Sequence, residues 1–496
     1  MRVIDHWIGG RAADSSPERL GDVYDPATGE ISAQVAFASA SDVDAAVEVA
    51  QAAAEKWSET PLSKRTRILF AFRELLDKNS DELALIISSE HGKVPSDAAG
   101  ELARGQEVVE FACGISHLMK GEFSENVTSS VDSYSIRQPL GVVAGISPFN
   151  FPAMVPLWMF PVAIACGNAF ILKPSEKDPS ASNFMGRLWQ EAGLPDGVYN
   201  VVHGDKVAVD RLLEHPGVAA ISSVGSTPVA RYIYETAAQH GKRVQALGGA
   251  KNHAVVLPDA DVGLAADALV GAAFGSSGQR CMAISAVVAV GDAGDALLHE
   301  IRTRVDKLTV GPASNPEAEM GPLVTGQHRD KVAGYLDAGL AEGAELAIDN
   351  RGLKVEGFEN GFFLGPCLFD HVTTEMSIYR DEIFGPVLVM LRAESYDDAL
   401  EIVNRNQYGN GTAIFTNDGG AARKFQNEVQ VGMVGINVPI PVPMAFYSFG
   451  GWKQSLFGDT HVHGTEGVKF YTRAKAVTAR WPDPRQRGVD LGFPQN

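Results

Sequence analysis

The first quarter of the chain is predicted to be largely helical. Between residues 41 and 57, apolar side chains recur at alternating spacings of four and three, which places them on one face of an amphipathic helix. Ser41 together with Asp44 is predicted to cap that helix at its N-terminus. Two more helical patterns cover residues 63–89 and 94–119.

Short apolar runs alternate with helical segments from residue 141 onward. The first series predicts strands at 141–146, 169–173, 198–202, 218–225 and 244–247, with helices that begin at Asp178-Pro179 and near Pro228. The second series follows Lys251 and predicts strands at 253–258, 285–290, 387–392, 412–416 and 433–437, with helices near 261–274 and 294–307. Alternation of this kind is typical of parallel sheets covered on both faces by helices, so the predicted fold class is α/β.

Length and charge limit the class of protein. The 496 residues exceed what one hydrophobic core can organise, so two or three domains are expected. A net charge of -19 at pH 7 opposes binding to nucleic acid or to an anionic membrane surface. The most apolar stretch, 153–166, contains prolines and is shorter than the roughly 20 residues that span a bilayer. We therefore expect neither a nucleic-acid partner nor a membrane partner.

The cysteines point to a reducing compartment. Cys113, Cys166, Cys281 and Cys367 are widely spaced and form no paired CxxC element. They fit neither a metal site nor a disulfide framework. The N-terminal residues lack the basic region and apolar run of a secretory signal. We therefore expect a cytoplasmic protein without a metal cofactor.

Cys281 is the first candidate for catalysis. It follows the glycine- and serine-rich stretch 275–278, whose backbone can turn tightly, and we expect it to lie where a loop enters a helix. A helix N-terminus there would favour the thiolate, which is the nucleophilic form. The local sequence is equally compatible with a cysteine that only packs in the core.

Other polar residues follow predicted strands, at the carboxyl ends where ligands bind in open α/β sheets. Asn150 could donate its amide to an oxyanion, or could satisfy its own backbone in a turn. Lys173 and Glu176 could hold ribose hydroxyls or simply face solvent. Ser226 lies between a strand and a helix, where backbone N–H groups can receive a pyrophosphate.

Six short motifs occur in order along the chain: SPFNFP, KPSE, GST, LGGAK, GQRC and DEIFGPV. Together they resemble the aldehyde dehydrogenase superfamily over nearly the whole chain. Within it, FNFP, GAKNH, LPDA, GQRCMA and GVKFYT look most similar to the CoA-acylating methylmalonate-semialdehyde dehydrogenases, also called malonate-semialdehyde dehydrogenases. The resemblance implies a Rossmann-type NAD domain, a second α/β catalytic domain and a small β oligomerisation element.

The resemblance also implies domain limits and assembly. Residues 1–120 and 140–249 would form the NAD-binding domain, 250–450 the catalytic domain, and 121–139 with 465–490 the oligomerisation element. The sequence pattern independently predicts a hairpin strand over 128–138, where polar residues alternate, and a terminal strand over 474–481. The assembly that the resemblance implies is a homotetramer, a dimer of dimers, and strand edges that would otherwise stay unpaired are a physical reason to expect assembly.

Individual residues take roles by the same resemblance. Cys281 would attack the aldehyde carbon, and Asn150 would hold the resulting oxyanion together with the Cys281 backbone N–H. NAD would be the oxidant, and the residues that match the family's NAD-binding positions are Ser147, Phe149, Lys173, Glu176, Lys177, Ser226, Gly248, Glu382 and Phe384. Glu176 favours NAD over its 2′-phosphorylated form, because a second negative charge would be repelled there.

One segment departs from the hydrolytic members of the superfamily. They carry a glutamate before the Leu-Gly-Gly-Lys stretch as the base that activates water. Here residues 242–257 contain no carboxylate, and Ala246 or Leu247 occupies the matching place. A thiol needs less activation than water, so coenzyme A is the expected co-substrate. The alternative is a hydrolytic aldehyde dehydrogenase that uses Glu382 or another residue as its base.

Arg104 and Arg280 match arginines that the resemblance assigns to the carboxylate of the substrate, which guanidinium groups bind in a bidentate fashion. Arg104 could instead lie on a solvated helix face. The implied substrates are malonate semialdehyde and methylmalonate semialdehyde, which would yield acetyl-CoA and propionyl-CoA after loss of carbon dioxide. A non-catalytic protein that reuses the fold is disfavoured, because Cys281 and Asn150 are both present.

Overall fold

The computed structural model describes residues 1–13 and 17–481. The strands are β1 Arg2–Ile4, β2 Trp7–Ile8, β3 Arg11–Ala12, β4 Leu20–Asp25, β5 Glu30–Ala36, β6 Phe123–Thr128, β7 Val131–Pro139, β8 Val142–Ile146, β9 Ala169–Lys173, β10 Tyr199–Val201, β11 Val218–Val224, β12 Arg243–Leu247, β13 Asn252–Val256, β14 Ile284–Val290, β15 Glu345–Ile348, β16 Cys367–Asp370, β17 Val387–Ala393, β18 Tyr408–Gly409, β19 Gly411–Phe415, β20 Met433–Ile436, β21 Trp452–Lys453, β22 Leu456–Phe457 and β23 Thr472–Arg480. The helices are α1 Ala40–Ser58, α2 Leu62–Lys78, α3 Ser80–His91, α4 Pro95–Cys113, α5 Ile115–Leu118, α6 Met154–Ala165, α7 Ser180–Glu191, α8 Lys206–Glu214, α9 Thr227–Gln239, α10 Val262–Phe274, α11 Ala293–Val305, α12 Gly326–Ala341, α13 Ser377–Arg380, α14 Tyr396–Arg405, α15 Gly419–Glu428 and α16 Gly464–Phe470.

Five parallel strands form the centre of the first sheet, in the order β12-β11-β8-β9-β10. The chain enters at β8 and then builds outward on both sides, so β8 is the switch point of the topology. Alternate side chains of β8 point to two cores. Val142 and Ala144 pack with residues of α1, α8 and α9, whereas Val143 packs with residues of α6 and α7. This two-sided burial explains why the strand is apolar throughout.

The second sheet has the order β15-β16-β17-β14-β13-β19-β20, and only β15 runs antiparallel to its neighbour. Its central strands are buried between α10 and α11 on one side and α12 and α14 on the other. The two α/β sheets predicted from the alternation are therefore both present. Within the described ranges, no helix combines the length and apolar character needed to cross a bilayer.

A separate antiparallel sheet consists of β23, β7 and β6. β23 pairs with β7 along nine residues, from Thr472 opposite Pro139 to Arg480 opposite Val131. The hairpin strand predicted over 128–138 is present as β7, but it begins later than predicted, because Ser130 adopts a left-handed backbone conformation in the turn between β6 and β7. The limits predicted for the three domains stay predictions, and residues 482–490 of the last one lie outside the described chain.

Helix boundaries in the first quarter also differ from the prediction. Ser39 caps α1, since its side chain accepts from the Asp42 N–H and the Asp42 carboxylate accepts from the Ser39 N–H. The cap predicted at Ser41 and Asp44 is therefore wrong by two residues. The pattern over 63–89 forms two helices that meet at Asn79, and a three-stranded sheet of β1, β5 and β4 precedes them.

Candidate active site

Three of the predicted segments share one edge of the first sheet. Residues 147–150 follow β8, residues 173–177 begin at the end of β9, and Ser226 follows β11. Because these neighbouring strands are parallel, their carboxyl ends lie side by side. The crevice at this edge next to the switch point is where open α/β sheets bind ligands.

Four further residues lie at the edge of the second sheet where its parallel strands begin. Cys281 precedes β14, Glu382 precedes β17, Asn252 begins β13 and Asn410 precedes β19. The order β17-β14-β13-β19 is parallel, so these residues meet at the amino ends of neighbouring strands.

The connection between β12 and β13, residues 248–251, joins the two edges. The Gly249 N–H donates to the hydroxyl of Thr227, at the start of α9, over 2.9 Å. The next N–H, that of Ala250, donates to the carboxylate of Glu382 over 2.9 Å. This short segment therefore connects the carboxyl-end edge of the first sheet to the amino-end edge of the second, and it is hydrogen-bonded on both sides.

The loop before Cys281 has an unusual backbone. Ser276 and Ser277 have φ values of 53° and 54°, in the left-handed region that side chains other than glycine rarely adopt. Two hydrogen bonds hold them there. The Ser276 N–H donates to the Asp97 carboxylate over 2.9 Å, and the Ser277 hydroxyl donates to the Gly321 carbonyl over 2.6 Å. Strain of this kind persists only where surrounding contacts enforce it.

Two asparagines hold the backbone of Cys281. Its carbonyl oxygen accepts from the side-chain amide of Asn252 at 2.9 Å and from that of Asn410 at 3.1 Å. Asn252 also donates to the Ala283 carbonyl and accepts from the Gly411 N–H. The position of the nucleophile candidate is thus fixed by the neighbouring strands β13 and β19.

The surroundings of Cys281 differ from the expectation. The next element is the strand β14, so the predicted helix N-terminus is wrong. Burial and the nearby Glu382 carboxylate raise the pKa of the Cys281 thiol to about 12. The backbone N–H groups of Cys281 and Met282 act in the opposite direction but do not outweigh them. A thiol in this state must give up its proton to another group before it reacts.

Asn150 is buried at the end of β8 and is held by a pair of buried charges. The Lys93 ammonium donates to the Asn150 carbonyl over 2.7 Å and to the Glu101 carboxylate over 2.7 Å. Glu101 in turn accepts from the N–H groups of Ala153 and Met154, at the start of α6. This network leaves the Asn150 side-chain amide without a hydrogen-bond partner among the described residues.

Ser147, Lys173 and Glu176 line the crevice beside the switch point. The Ser147 hydroxyl is buried and has no hydrogen-bond partner in the described part of the chain. The Lys173 ammonium lies 3.2 Å from the Glu176 carboxylate. Burial raises the pKa of Glu176, but Lys173 and a backbone N–H outweigh burial and leave that pKa below its ordinary value. Lys173 is buried, so the pair does not simply face solvent.

Aromatic rings bridge the crevice. The Phe149 ring contacts the Phe384 ring edge to face, with centroids 5.8 Å apart, and the Lys177 ammonium lies 4.6 Å from the Phe149 centroid. Phe384 has a positive φ of 60°, and His328 donates to its carbonyl over 2.7 Å. Phe149, which follows a strand of the first sheet, and Phe384, which precedes a strand of the second, are therefore in direct contact.

Ser226 and Gly248 lie at the other end of the crevice. The Ser226 side chain makes no hydrogen bond with the first turn of α9, whose N–H groups point away from the helix. The Gly248 N–H donates to the Ser455 carbonyl over 3.0 Å, so this N–H is already occupied.

Both predicted substrate arginines are already paired. The Arg104 guanidinium, on α4, contacts the Glu107 carboxylate at 2.9 Å and donates to the Val442 carbonyl over 2.9 Å. It is therefore not free on a solvated face. The Arg280 guanidinium forms an ion pair with Asp97, at the start of the same helix. Arg280 lines the cavity of Cys281, whereas Arg104 is tied to the segment that follows β20.

The sequence did not identify several residues that build this site. Lys93, Glu101, Asp97 and Asn410 act on residues far away in the chain, and Lys93 is separated from Asn150 by 57 positions. No local spacing signals such contacts. Asn252 had a signal, since it lies within the GAKNH motif that carried the resemblance.

The chain is similar to known proteins over nearly its whole length. The sequence model of the aldehyde dehydrogenase family matches residues 12–477. The chain belongs to the aldehyde dehydrogenase family. It is 56% identical to a malonate-semialdehyde dehydrogenase of Pseudomonas aeruginosa, over 97% of each chain. It is 48% identical to a mitochondrial, acylating methylmalonate-semialdehyde dehydrogenase of Arabidopsis thaliana, over 97% of this chain and 79% of the relative.

A solved structure has the same fold. A protein of Sinorhizobium meliloti, assigned as a methylmalonate-semialdehyde dehydrogenase and complexed with NAD, superposes with a TM-score of 0.97. It is 52% identical to this chain and covers 98% of it, while the chain covers 99% of that structure. The fold predicted from the motif resemblance is confirmed.

Proposed function

We propose that this protein catalyses the NAD-dependent, CoA-acylating oxidative decarboxylation of malonate semialdehyde or its methyl homologue, methylmalonate semialdehyde. Two relatives, 56% and 48% identical over nearly the whole chain, are named malonate-semialdehyde dehydrogenase and acylating methylmalonate-semialdehyde dehydrogenase. The observation that carries the choice of coenzyme A as acceptor is the lack of any carboxylate over residues 242–257, of which Ala250 and Asn252 line the cavity of Cys281.

The crevice fits a dinucleotide. The buried, unpartnered Ser147 hydroxyl and the Lys173–Glu176 pair supply hydrogen-bonding groups for ribose. The first turn of α9 after Ser226 supplies N–H groups for a pyrophosphate. Phe149, Lys177, Glu382 and Phe384 complete the proposed NAD site, with Gly248 allowing the close approach of the backbone at residues 454 and 455. Bound NAD would accept the hydride from the former aldehyde carbon.

Cys281 is the proposed nucleophile. Its sulfur would attack the aldehyde carbon, and the oxyanion would be stabilised by the Asn150 amide and the Cys281 N–H. The hydrogen bonds from Asn252 and Asn410 fix the Cys281 backbone, and Lys93 fixes that of Asn150. The backbone that carries each proposed oxyanion donor is thus held in place before substrate arrives, and donors that are preorganised in this way lower a barrier most.

After oxidation the acyl group would remain on Cys281 as a thioester. A carboxylate β to its carbonyl can leave as carbon dioxide, since the same donors stabilise the enolate that forms, and a proton from solvent then converts this enolate to the acetyl or propionyl thioester. Arg104 and Arg280 are the proposed ligands of that carboxylate, and each would exchange a present partner, Glu107 or Asp97, for the substrate. Transfer to the thiol of coenzyme A then gives acetyl-CoA or propionyl-CoA.

The product distribution tests the proposal. Enzyme, NAD and malonate semialdehyde are incubated with and without coenzyme A, and acetyl-CoA and free acetate are quantified by chromatography. We expect acetyl-CoA as the main product and a large fall in turnover when coenzyme A is omitted. Free acetate formed at an undiminished rate without coenzyme A would establish the hydrolytic alternative instead.

We also propose a homotetramer. A groove beside the edge strand β20 exposes the large apolar side chains of Val438, Met444, Phe446 and Tyr447. Exposed apolar patches next to an open strand edge are typical of interfaces, and the antiparallel sheet of β6, β7 and β23 offers a second edge. Light scattering after size-exclusion chromatography gives the mass of the assembly, and a monomer would contradict the proposal.

The proposed location is the cytoplasm. All four cysteines are free, and the catalytic role of Cys281 requires a reduced thiol. Cell fractionation with an antibody against the chain tests this assignment, and recovery in an oxidising compartment would contradict it.

A further inference from the structure

The Glu382 carboxylate lies against the segment that follows the position of the missing base, which the family resemblance places at Ala246 or Leu247. This carboxylate accepts the Ala250 N–H over 2.9 Å, and a Cβ added at Gly249 would lie 2.5 Å from the other carboxylate oxygen. Residues 247–250 carry no carboxylate of their own, but a carboxylate from the connection before β17 lies against their backbone.

The two loops that carry Cys281 and Glu382 touch. Gly278, with a φ of 69°, lies so close to the Gly385 carbonyl that a Cβ at Gly278 would clash with it. Cys281 and Glu382 consequently line one cavity. Of the described residues that line it, Glu382 is the only one with a carboxylate, and none is a histidine.

The surroundings of Glu382 favour its acting as a proton acceptor near neutral pH. Burial raises the pKa of Glu382 to about 7, although the Ala250 N–H and the cations of Lys251 and Lys331 act against burial. The titratable groups Cys281 and Tyr408 lie near it, and Arg280 lines the same cavity. Lys251 anchors the segment, since its ammonium donates to the carbonyls of Ile378 and Asp381 over 2.7 and 2.9 Å.

We propose that Glu382 is the general base for acyl transfer to coenzyme A, a role beyond its match to the family's cofactor contacts. The thiol proton of coenzyme A passes to the Glu382 carboxylate while the sulfur forms a bond to the acyl carbon on Cys281. The bond between that carbon and the Cys281 sulfur then breaks, and the released thiolate recovers the proton from Glu382. No oxidant or further reactant is required.

This inference rests on the proposed function, because it assumes a thiol acceptor. The described residues that line the cavity include no carboxylate or histidine besides Glu382, and the thiol groups of both coenzyme A and Cys281 are largely protonated at pH 7. A thiolate formed at the site is the attacking species. Because the pKa of Glu382 is about 7, its carboxylate can accept the thiol proton near neutral pH and then return it to the Cys281 thiolate.

The test measures acyl transfer without NAD. Cys281 is acetylated with p-nitrophenyl acetate, intact mass spectrometry gives the acetylated fraction, and acetyl-CoA formation after addition of coenzyme A is followed by chromatography. For Glu382→Gln we expect transfer per acetylated enzyme to fall roughly 100-fold, the size of a general-base contribution. Asp381→Asn removes the neighbouring, exposed carboxylate and serves as the matched control, with transfer near the wild-type rate.

A second acceptor separates a base from a structural role. An aromatic thiol that is already ionised at pH 7 has no proton to remove, so Glu382→Gln should transfer to it at nearly the wild-type rate. Glu382→Asp keeps a carboxylate and should transfer to coenzyme A faster than Glu382→Gln. Equal losses with both acceptors, or no loss with coenzyme A, would overturn the inference. Wild-type enzyme that releases only acetate in the presence of coenzyme A would instead overturn the proposed function.

Discussion

The ammonium of Lys93 and the carboxylate of Glu101 form an ion pair at 2.7 Å, and both side chains are completely buried. Each also holds a part of the site. Lys93 donates to the Asn150 carbonyl, and Glu101 accepts the N–H groups at the start of α6. The pair therefore links the connection between α3 and α4 to the proposed oxyanion donor. Two charged groups are stable at such buried positions only when each has ion-pair and hydrogen-bond partners.

We predict that Lys93→Met destabilises the fold by roughly 3–5 kcal/mol, because it leaves the Glu101 charge buried without its counterion. The apparent unfolding temperature, measured at one protein concentration and one scan rate, is expected to fall clearly. The double variant Lys93→Met with Glu101→Gln removes both charges and keeps an acceptor for α6. It should be more stable than Lys93→Met alone, and equal stabilities would show that the lost charge pairing is not the cause.

Cys281→Ala is expected to abolish dehydrogenase turnover and to preserve NAD binding. The thiol is the proposed nucleophile, whereas the residues proposed to bind NAD lie on the crevice and on the Glu382 segment. Isothermal titration calorimetry should give an NAD dissociation constant within a few-fold of wild type. Remaining NADH production by the variant would refute the assignment of the nucleophile.

Arg104→Leu is expected to raise KM for malonate semialdehyde far more than KM for propanal. Loss of a guanidinium that binds the substrate carboxylate removes binding in both ground state and transition state, so kcat should change less than KM. The variant also loses the contacts with Glu107 and Val442, but these affect both substrates alike. Equal changes for the two aldehydes would therefore assign Arg104 a structural role only.

Glu382→Gln is expected to change the pH dependence of stability. The pKa of Glu382 is about 7 in the folded protein, against 4.5 for an ordinary glutamate. Between these values the folded state binds a proton that the unfolded state has released, so the stability from this group is present below about pH 4.5 and is lost as the pH rises through about 7. Glutamine cannot ionise and avoids that loss.

The unfolding temperature of Glu382→Gln relative to wild type should therefore rise between pH 5.5 and pH 8, by an amount equivalent to roughly 1–3 kcal/mol. Asp381→Asn, whose carboxylate is exposed, should show no comparable trend. A constant difference between Glu382→Gln and wild type across this range would mean that Glu382 titrates like an ordinary glutamate.

Much of the architecture could be predicted, because it depends on local periodicity. The apolar runs of β8 and β9 and the helix that follows β9 are visible in the sequence, since strands covered on both faces must be apolar along their length. The errors fall where a short polar signal was ambiguous, as with the cap at Ser39 and the start of β7 after Ser130. The sheet of β1, β5 and β4 was missed because its strands mix polar with apolar residues and are partly exposed.

The sequence by itself determined the fold class, the family resemblance, Cys281 as the nucleophile candidate and the absence of a carboxylate over 242–257. Only the tertiary structure decided what surrounds that cysteine. No helix begins there, burial raises the pKa of the thiol, two asparagines hold its carbonyl, and Glu382 covers the segment without a base. These properties depend on burial and on contacts between distant parts of the chain, which residue spacing does not encode.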